Sequence, residues 1–140
     1  MSVDRVFVDA NVLTYVFDDA EPEKQARARA CLKDEPREIF VSTQVLQELY
    51  VSLTKGRDPI ASPEVAEDAV RAASGYSVVQ IDTPLVLGAI AMSRANQLSF
   101  WDALILCAAV SSGCETLLSE DLNHGQVIHG VTVENPFRAA

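Results

Sequence analysis

Val6-Phe7-Val8-Asp9-Ala10-Asn11-Val12-Leu13 is the stretch on which the fold turns. Val6, Phe7 and Val8 form a continuous apolar run, the pattern of a strand covered on both faces. Asp9 and Asn11 then interrupt a stretch that would otherwise stay apolar to Phe17. A carboxylate is rarely buried without a partner. The simplest reading ends the strand at Asp9 and turns the chain into a helix. Asp9 then stands at the carboxyl end of a strand, where open α/β sheets bind their ligands.

Working outward, strand and helix signals alternate. A first strand is expected over residues 4–9 and a short helix over 11–17. Asp18, Asp19 and Glu21-Pro22-Glu23 open a helix reaching about residue 33, since early acids complement the helix dipole and a first-turn proline loses no bond. Ile39-Phe40-Val41 reads as a buried strand. Ser42 or Thr43 caps a helix that Gly56 stops. Ser62-Pro63-Glu64 starts another helix, Val78-Val79-Gln80-Ile81 a strand, and Thr83-Pro84 a helix to about residue 95. Ser99 opens the last helix, ending near Ser112. Thr116-Leu117-Leu118 and a final region holding Val127-Ile128 and Val131-Thr132-Val133 complete the pattern. Strands separated by helices predict an α/β fold of about five mostly parallel strands, with helices on both faces. No repeat or long linker interrupts residues 1–140, so one domain is expected.

Composition narrows the function classes. Hydrophobic residues make up 49%, which excludes a disordered chain. The formal net charge is -9, so the surface as a whole repels bare nucleic acid. Any nucleic-acid chemistry must rest on a local site, on metal ions or on a basic partner. Cys31, Cys107 and Cys114 form no CxxC pair and read as small apolar residues of a reducing compartment. Asp4 and Arg5 abut the first strand, and no apolar run approaches the ~18 residues of a membrane span. A soluble cytoplasmic protein is the expectation.

Twenty acidic residues are present, so position is what singles a few out. Asp121 follows Leu117-Leu118-Ser119-Glu120, just beyond the end of a strand. In a parallel sheet Asp9 and Asp121 share one edge. Glu48 falls on the flank of a stripe formed by Val45, Leu46, Leu49 and Leu53, where a carboxylate either meets solvent or points into a cleft beside the core. Asp102 lies in Ser99-Phe100-Trp101-Asp102-Ala103-Leu104, at capping-box spacing from Ser99. A pure capping role accounts for it equally well, but beside a Trp read as buried it is well fixed. Gathered carboxylates repel and raise one another's pKa. A hard divalent cation removes that penalty, orients water and stabilises charge on phosphate oxygens.

These motifs resemble those of PIN-domain ribonucleases: Val8-Asp9-Ala10-Asn11-Val12-Leu13, Gln47-Glu48-Leu49, Ser99-Phe100-Trp101-Asp102-Ala103-Leu104-Ile105 and Leu118-Ser119-Glu120-Asp121-Leu122-Asn123-His124-Gly125. Within that family they look most like the VapC toxins of bacterial toxin–antitoxin pairs. The resemblance spans Asp9 to Asn123. It implies an acidic quartet of Asp9, Glu48, Asp102 and Asp121, with Asp9 and Asp102 as metal ligands. Asn11 and Ser119 match supporting positions. It further implies Mg²⁺, with Mn²⁺ as a substitute, an RNA substrate such as a structured transfer or ribosomal RNA, a VapB-like antitoxin partner and a homodimer.

Other features carry less. His124 and His129 lack the neighbours of a zinc site and read as surface or structural residues. Lys55-Gly56-Arg57 follows the Glu48 helix and is the best-placed phosphate contact. Tyr15, Phe17 and Tyr50 read as core or interface. Ala89, Ala91, Ala95, Ala108 and Ala109 allow close helix packing within the chain or across a dimer. No GxSxG turn, Walker loop or GxGxxG is present. Two other functions compete with the toxin nuclease: an interaction module whose acidic cleft holds a basic partner, and a housekeeping RNA-processing nuclease of the same family. A haloacid-dehalogenase-type phosphatase is disfavoured, because its strand-end motif wants an Asp where Asn11 stands.

Overall fold

The computed structural model describes residues 3–33 and 37–138. Six strands form one sheet: β1 (Asp4–Val8), β2 (Arg37–Ser42), β3 (Ser77–Val79), β4 (Thr116–Leu118), β5 (Val127–Ile128) and β6 (Val131–Glu134). Six helices connect them: α1 (Ala10–Tyr15), α2 (Pro22–Lys33), α3 (Thr43–Thr54), α4 (Pro63–Ala73), α5 (Thr83–Asn96) and α6 (Phe100–Ser111). The strand order is β3-β2-β1-β4-β6-β5, parallel except for the β5–β6 pair. The α/β expectation holds, with one more strand than the sequence suggests.

The extra strand comes from the last region. Val127-Ile128 and Val131–Glu134 do not run on as one strand but fold back as an antiparallel hairpin. Its two turn residues, His129 and Gly130, have φ of 49° and 84°. Of the two-residue hairpin turns whose twist matches their strands, the type I′ turn has positive φ at both positions. Gly130 adopts it without strain, and His129 accepts the less common conformation.

β1 lies inside the sheet between β2 and β4, with its apolar half buried. Val6, Phe7 and Val8 are buried, as are Ile39, Phe40 and Val41 on β2 and Leu117 and Leu118 on β4. Phe7 stands opposite Phe40 on one side and Leu117 on the other.

The chain order carries the site. From β1 it moves outward through β2 to β3, then returns to place β4 on the other side of β1. The direction of travel therefore reverses at the β1–β4 boundary, which is where open α/β sheets leave a crevice at their carboxyl ends. Right-handed crossovers put α1 to α4 on one face of the sheet and α5 and α6 on the other. The packing agrees: α3 rests on α1 and α4, while α6 lies against α5, β2, β4 and β6. Among the described residues no helix is long and apolar enough to cross a membrane.

Helix starts follow the capping residues. The side chains of Ser42, Ser62, Asp82 and Ser99 accept bonds from the backbone N–H three residues on. For the helix beginning at Thr83-Pro84 the cap is thus the residue before the pair. Cys114 is buried, and Cys31 and Cys107 are half-buried.

Candidate active-site cleft

Strand β1 delivers Asp9 and strand β4 delivers Ser119, in register. Val8 stands opposite Leu118, and the Asp9 N–H donates to the Leu118 carbonyl at 3.0 Å. Each next residue then reaches the other. Ser119, fully buried, donates its hydroxyl to Asp9 Oδ2 at 2.8 Å and accepts the Asp121 N–H at 3.2 Å. Asp9 Oδ1 accepts the Ala10 N–H at 2.8 Å, which caps α1.

Asn11 closes the arrangement. Its Oδ1 accepts the Glu120 N–H at 3.1 Å. Its Nδ2 makes longer contacts to Asp9 Oδ2 at 3.4 Å and Ser119 Oγ at 3.5 Å. Asn11 therefore ties the loop after β4 to the turn after β1, rather than bracing only its own turn.

Helix α3 supplies the opposite wall. Gln44, Glu48, Ser52 and Lys55 recur at three- and four-residue spacing and so share one side of the helix. Glu48, Ser52 and Lys55 line a cleft of about 270 Å³ together with Asp9, Ala10, Asn11, Thr14 and Asp121. The Thr14 and Ser52 hydroxyls meet at 2.6 Å and hold α1 against α3. Lys55 lies where the sequence placed its best phosphate contact. Thr14 and Ser52 were not legible as cleft residues, since it is the α1–α3 packing that brings them together beside Asp9.

The structure brings Asp9, Glu48 and Asp121 to one cleft. Asp102 is not among the lining residues. It is half-buried in the first turn of α6, where its N–H donates to Ser99 Oγ at 3.1 Å. Gln44 links the two helices: its Nε2 donates to Glu48 Oε1 at 2.8 Å and reaches the Trp101 carbonyl at 3.5 Å. Trp101 itself is 64% exposed, contrary to the expectation of a buried ring. The buried face of α6 begins at Ala103-Leu104-Ile105-Leu106, and Trp101 points away from it, edge-on to Phe100.

Three carboxylates and one ammonium, that of Lys55, line the cleft. Burial pushes the Asp9 carboxyl up from 3.8 to about 6. The Ser119 and Ala10 hydrogen bonds oppose that rise, and the charges of Glu48 and Asp121 add to it. None of the ion pairs among the described residues involves Asp9, Glu48, Asp102 or Asp121. The donors are carboxylate, hydroxyl and amide oxygens, the set a hard cation prefers. His124 is exposed and its Nδ1 accepts the Asn135 N–H at 3.0 Å, so that nitrogen is already used. No ready-made cage of three carboxylate, imidazole or thiol groups exists among the described residues.

A second brace lies behind Asp121. Glu120 receives Lys24 Nζ at 2.6 Å and the Tyr15 hydroxyl at 2.8 Å. The Lys24 ammonium also lies 4.8 Å from the Tyr15 ring centre and 5.8 Å from that of Phe137. The Lys24 and Glu120 side chains are 36% and 26% exposed, so solvent screens much of the pair. Lys24→Met is expected to cost about 1 kcal/mol, less at high salt, read as a lowered urea midpoint.

Known proteins agree with this architecture. A PIN domain profile matches residues 6–128. The fold is similar to a chain of a toxin–antitoxin complex from Klebsiella pneumoniae, with TM-score 0.71 and 21% identity over 96% of this chain and 99% of that one. It is similar to a DNA-bound VapBC from Salmonella typhimurium, with TM-score 0.66 and 17% identity over 96% and 99%. A Sarcin–Ricin loop cleaving toxin of Mycobacterium tuberculosis matches with TM-score 0.63 and 19% identity over 80% and 86%. Among curated proteins none matches the chain significantly in sequence.

Proposed function

The chain belongs to the PIN domain family, and on that premise we propose that it is a divalent-cation-dependent endoribonuclease acting as the toxin of a toxin–antitoxin pair. The observation that carries the proposal is the cleft at the β1–β4 boundary, which Asp9, Glu48 and Asp121 line together and where, among the described residues, none of the three makes an ion pair. Asp9, Glu48 and Asp121 would hold Mg²⁺ or Mn²⁺. Asp102 would complete the set from the first turn of α6, whose Trp101 carbonyl the Gln44 amide reaches.

A bound cation supplies the acidity that makes water a nucleophile near neutral pH and stabilises charge on phosphate oxygens. The chain's own residues do the rest. Ser119 and the Ala10 N–H fix the Asp9 carboxylate in one orientation. Glu48 and Asp121, exposed at the mouth, would orient water. Lys55 at the rim offers an ammonium to a phosphate oxygen of the incoming strand. No histidine base is required.

The charge balance points to selectivity. Removing the four acids from the count leaves -9 + 4 = -5, so general tight RNA binding is not expected. The described action of the Mycobacterium tuberculosis neighbour on a defined RNA loop supports a structured target. A partner has a surface to use. An apolar groove of about 440 Å³ runs between α3 and α4, lined by Leu46, Tyr50, Val51 and Val70. A second groove, lined by Glu48, Val51, Ser52 and Lys55, joins it to the cleft. Leu87, Ala91 and Ala95 form an exposed row on α5 suited to a homodimer, whereas Ala89, Ala108 and Ala109 are buried within the chain.

The test is cleavage of purified transfer and ribosomal RNAs by partner-free protein with Mg²⁺ or Mn²⁺. Cuts at a few defined positions that vanish in excess chelator are expected. No cleavage of any candidate RNA would favour an interaction module, and equal, rapid cleavage of unrelated RNAs at physiological salt would contradict the selectivity.

A further inference from the structure

Gln44 is the one polar side chain of the buried stripe of α3, and the sequence pattern gives no reason for it. The stripe reads as Val45, Leu46, Leu49 and Leu53, yet Gln44 is 6% exposed while Leu46 is only half-buried. Its amide is half satisfied. Nε2 donates to Glu48 Oε1 at 2.8 Å and lies 3.5 Å from the Trp101 carbonyl, while Oε1 is buried with no hydrogen-bond partner. Turning the amide over does not help. Both neighbours of Nε2 are acceptors, so the reversed amide would set oxygen against a carboxylate and a carbonyl.

An unmet acceptor in the interior lowers stability, and such groups in native proteins call for an explanation. A methionine of the same length would fill the space with no such penalty. What methionine cannot do is donate to Glu48. Glu48 is exposed at the cleft mouth and, without that bond, free to take several rotamers. The same amide reaches the first turn of α6, which carries Asp102.

Resting on the metal-dependent reading above, we infer that Gln44 is a positioning residue that holds the Glu48 carboxylate toward the cleft. A group that orients a metal-binding carboxylate is worth roughly 10–100-fold in metal affinity or activity when lost.

The test is Mn²⁺ titration of the whole chain by calorimetry, with the melting temperature measured alongside. Gln44→Met is expected to weaken Mn²⁺ binding by ~10-fold, while leaving the melting temperature of the metal-free protein unchanged or higher. In a Glu48→Gln background the same substitution should change nothing, because the partner it acts through is gone. Unchanged affinity in Gln44→Met, an equal loss in the Glu48→Gln background, or a melting temperature that falls with the affinity would each overturn the inference. Failure of the wild-type chain to bind Mn²⁺ would overturn the metal-dependent reading itself, and this inference with it.

Discussion

Asp9→Asn is expected to lower cation-dependent RNA cleavage by about 10³-fold, because the contribution of a bound metal to phosphoryl chemistry is several kcal/mol. The same substitution should stabilise the metal-free domain at neutral pH. Burial holds the folded carboxyl at about 6, above its ordinary 3.8. Folding therefore favours the protonated form. That contribution is complete below 3.8 and is lost as pH rises through 6. The gap corresponds to ~3 kcal/mol of destabilisation at pH 8. Asparagine avoids the charge but cannot accept at both oxygens from Ala10, Ser119 and Asn11, so a net gain of ~1–2 kcal/mol is expected. Thermal melts of both proteins from pH 4 to 8 check this. The difference between the curves should develop between pH 4 and pH 6, with Asp9→Asn the less stable at pH 4 and the more stable above pH 6. A variant that melts lower than wild type at pH 8 would show that the carboxylate is not strained by its surroundings.

The second large effect belongs to Ser119→Ala. This hydroxyl is the link between the two strand ends: it donates to Asp9 Oδ2 and accepts the Asp121 N–H. Without it the Asp121 backbone loses its partner and Asp9 keeps only the Ala10 N–H and the longer Asn11 contact. The expected costs are about 1–3 kcal/mol in stability and roughly 10–100-fold in cleavage. The direction of a pH effect follows as well. The Ser119 bond lowers the Asp9 pKa, so its loss should move the acid limb of the pH–rate profile to higher pH. A profile unchanged in position would mean that Asp9 does not govern that limb.

Much of the architecture was legible because it is local. Val6-Phe7-Val8 announced a doubly covered strand, and the serines at 42, 62 and 99 marked helix starts by a bond that reaches only three residues. Asp9 and Asp121 were legible for the same reason, as each ends a recognisable strand. What failed depended on partners distant in sequence. The burial of Gln44 and the exposure of Trp101 are decided where α3 meets the first turn of α6, and helical periodicity cannot say which residues the opposite element covers. The final strand region concealed a hairpin, because its turn is His-Gly rather than the Asn-Gly pair that signals one plainly. Glu48 shows the middle case: the pattern placed it on a flank, and only the α1–α3 packing turned that flank toward Asp9.

The central claim is that one cation is held by carboxylates that repel one another in its absence, Asp9 foremost. Mn²⁺ titration in buffers of different ionisation enthalpy, at pH 5.5 and pH 8, measures it through the protons released on binding. With the Asp9 carboxyl near 6, binding should release most of one proton at pH 5.5 and almost none at pH 8, and Asp9→Asn should lose that release. Binding without proton release at pH 5.5, or no binding at either pH, would contradict the account.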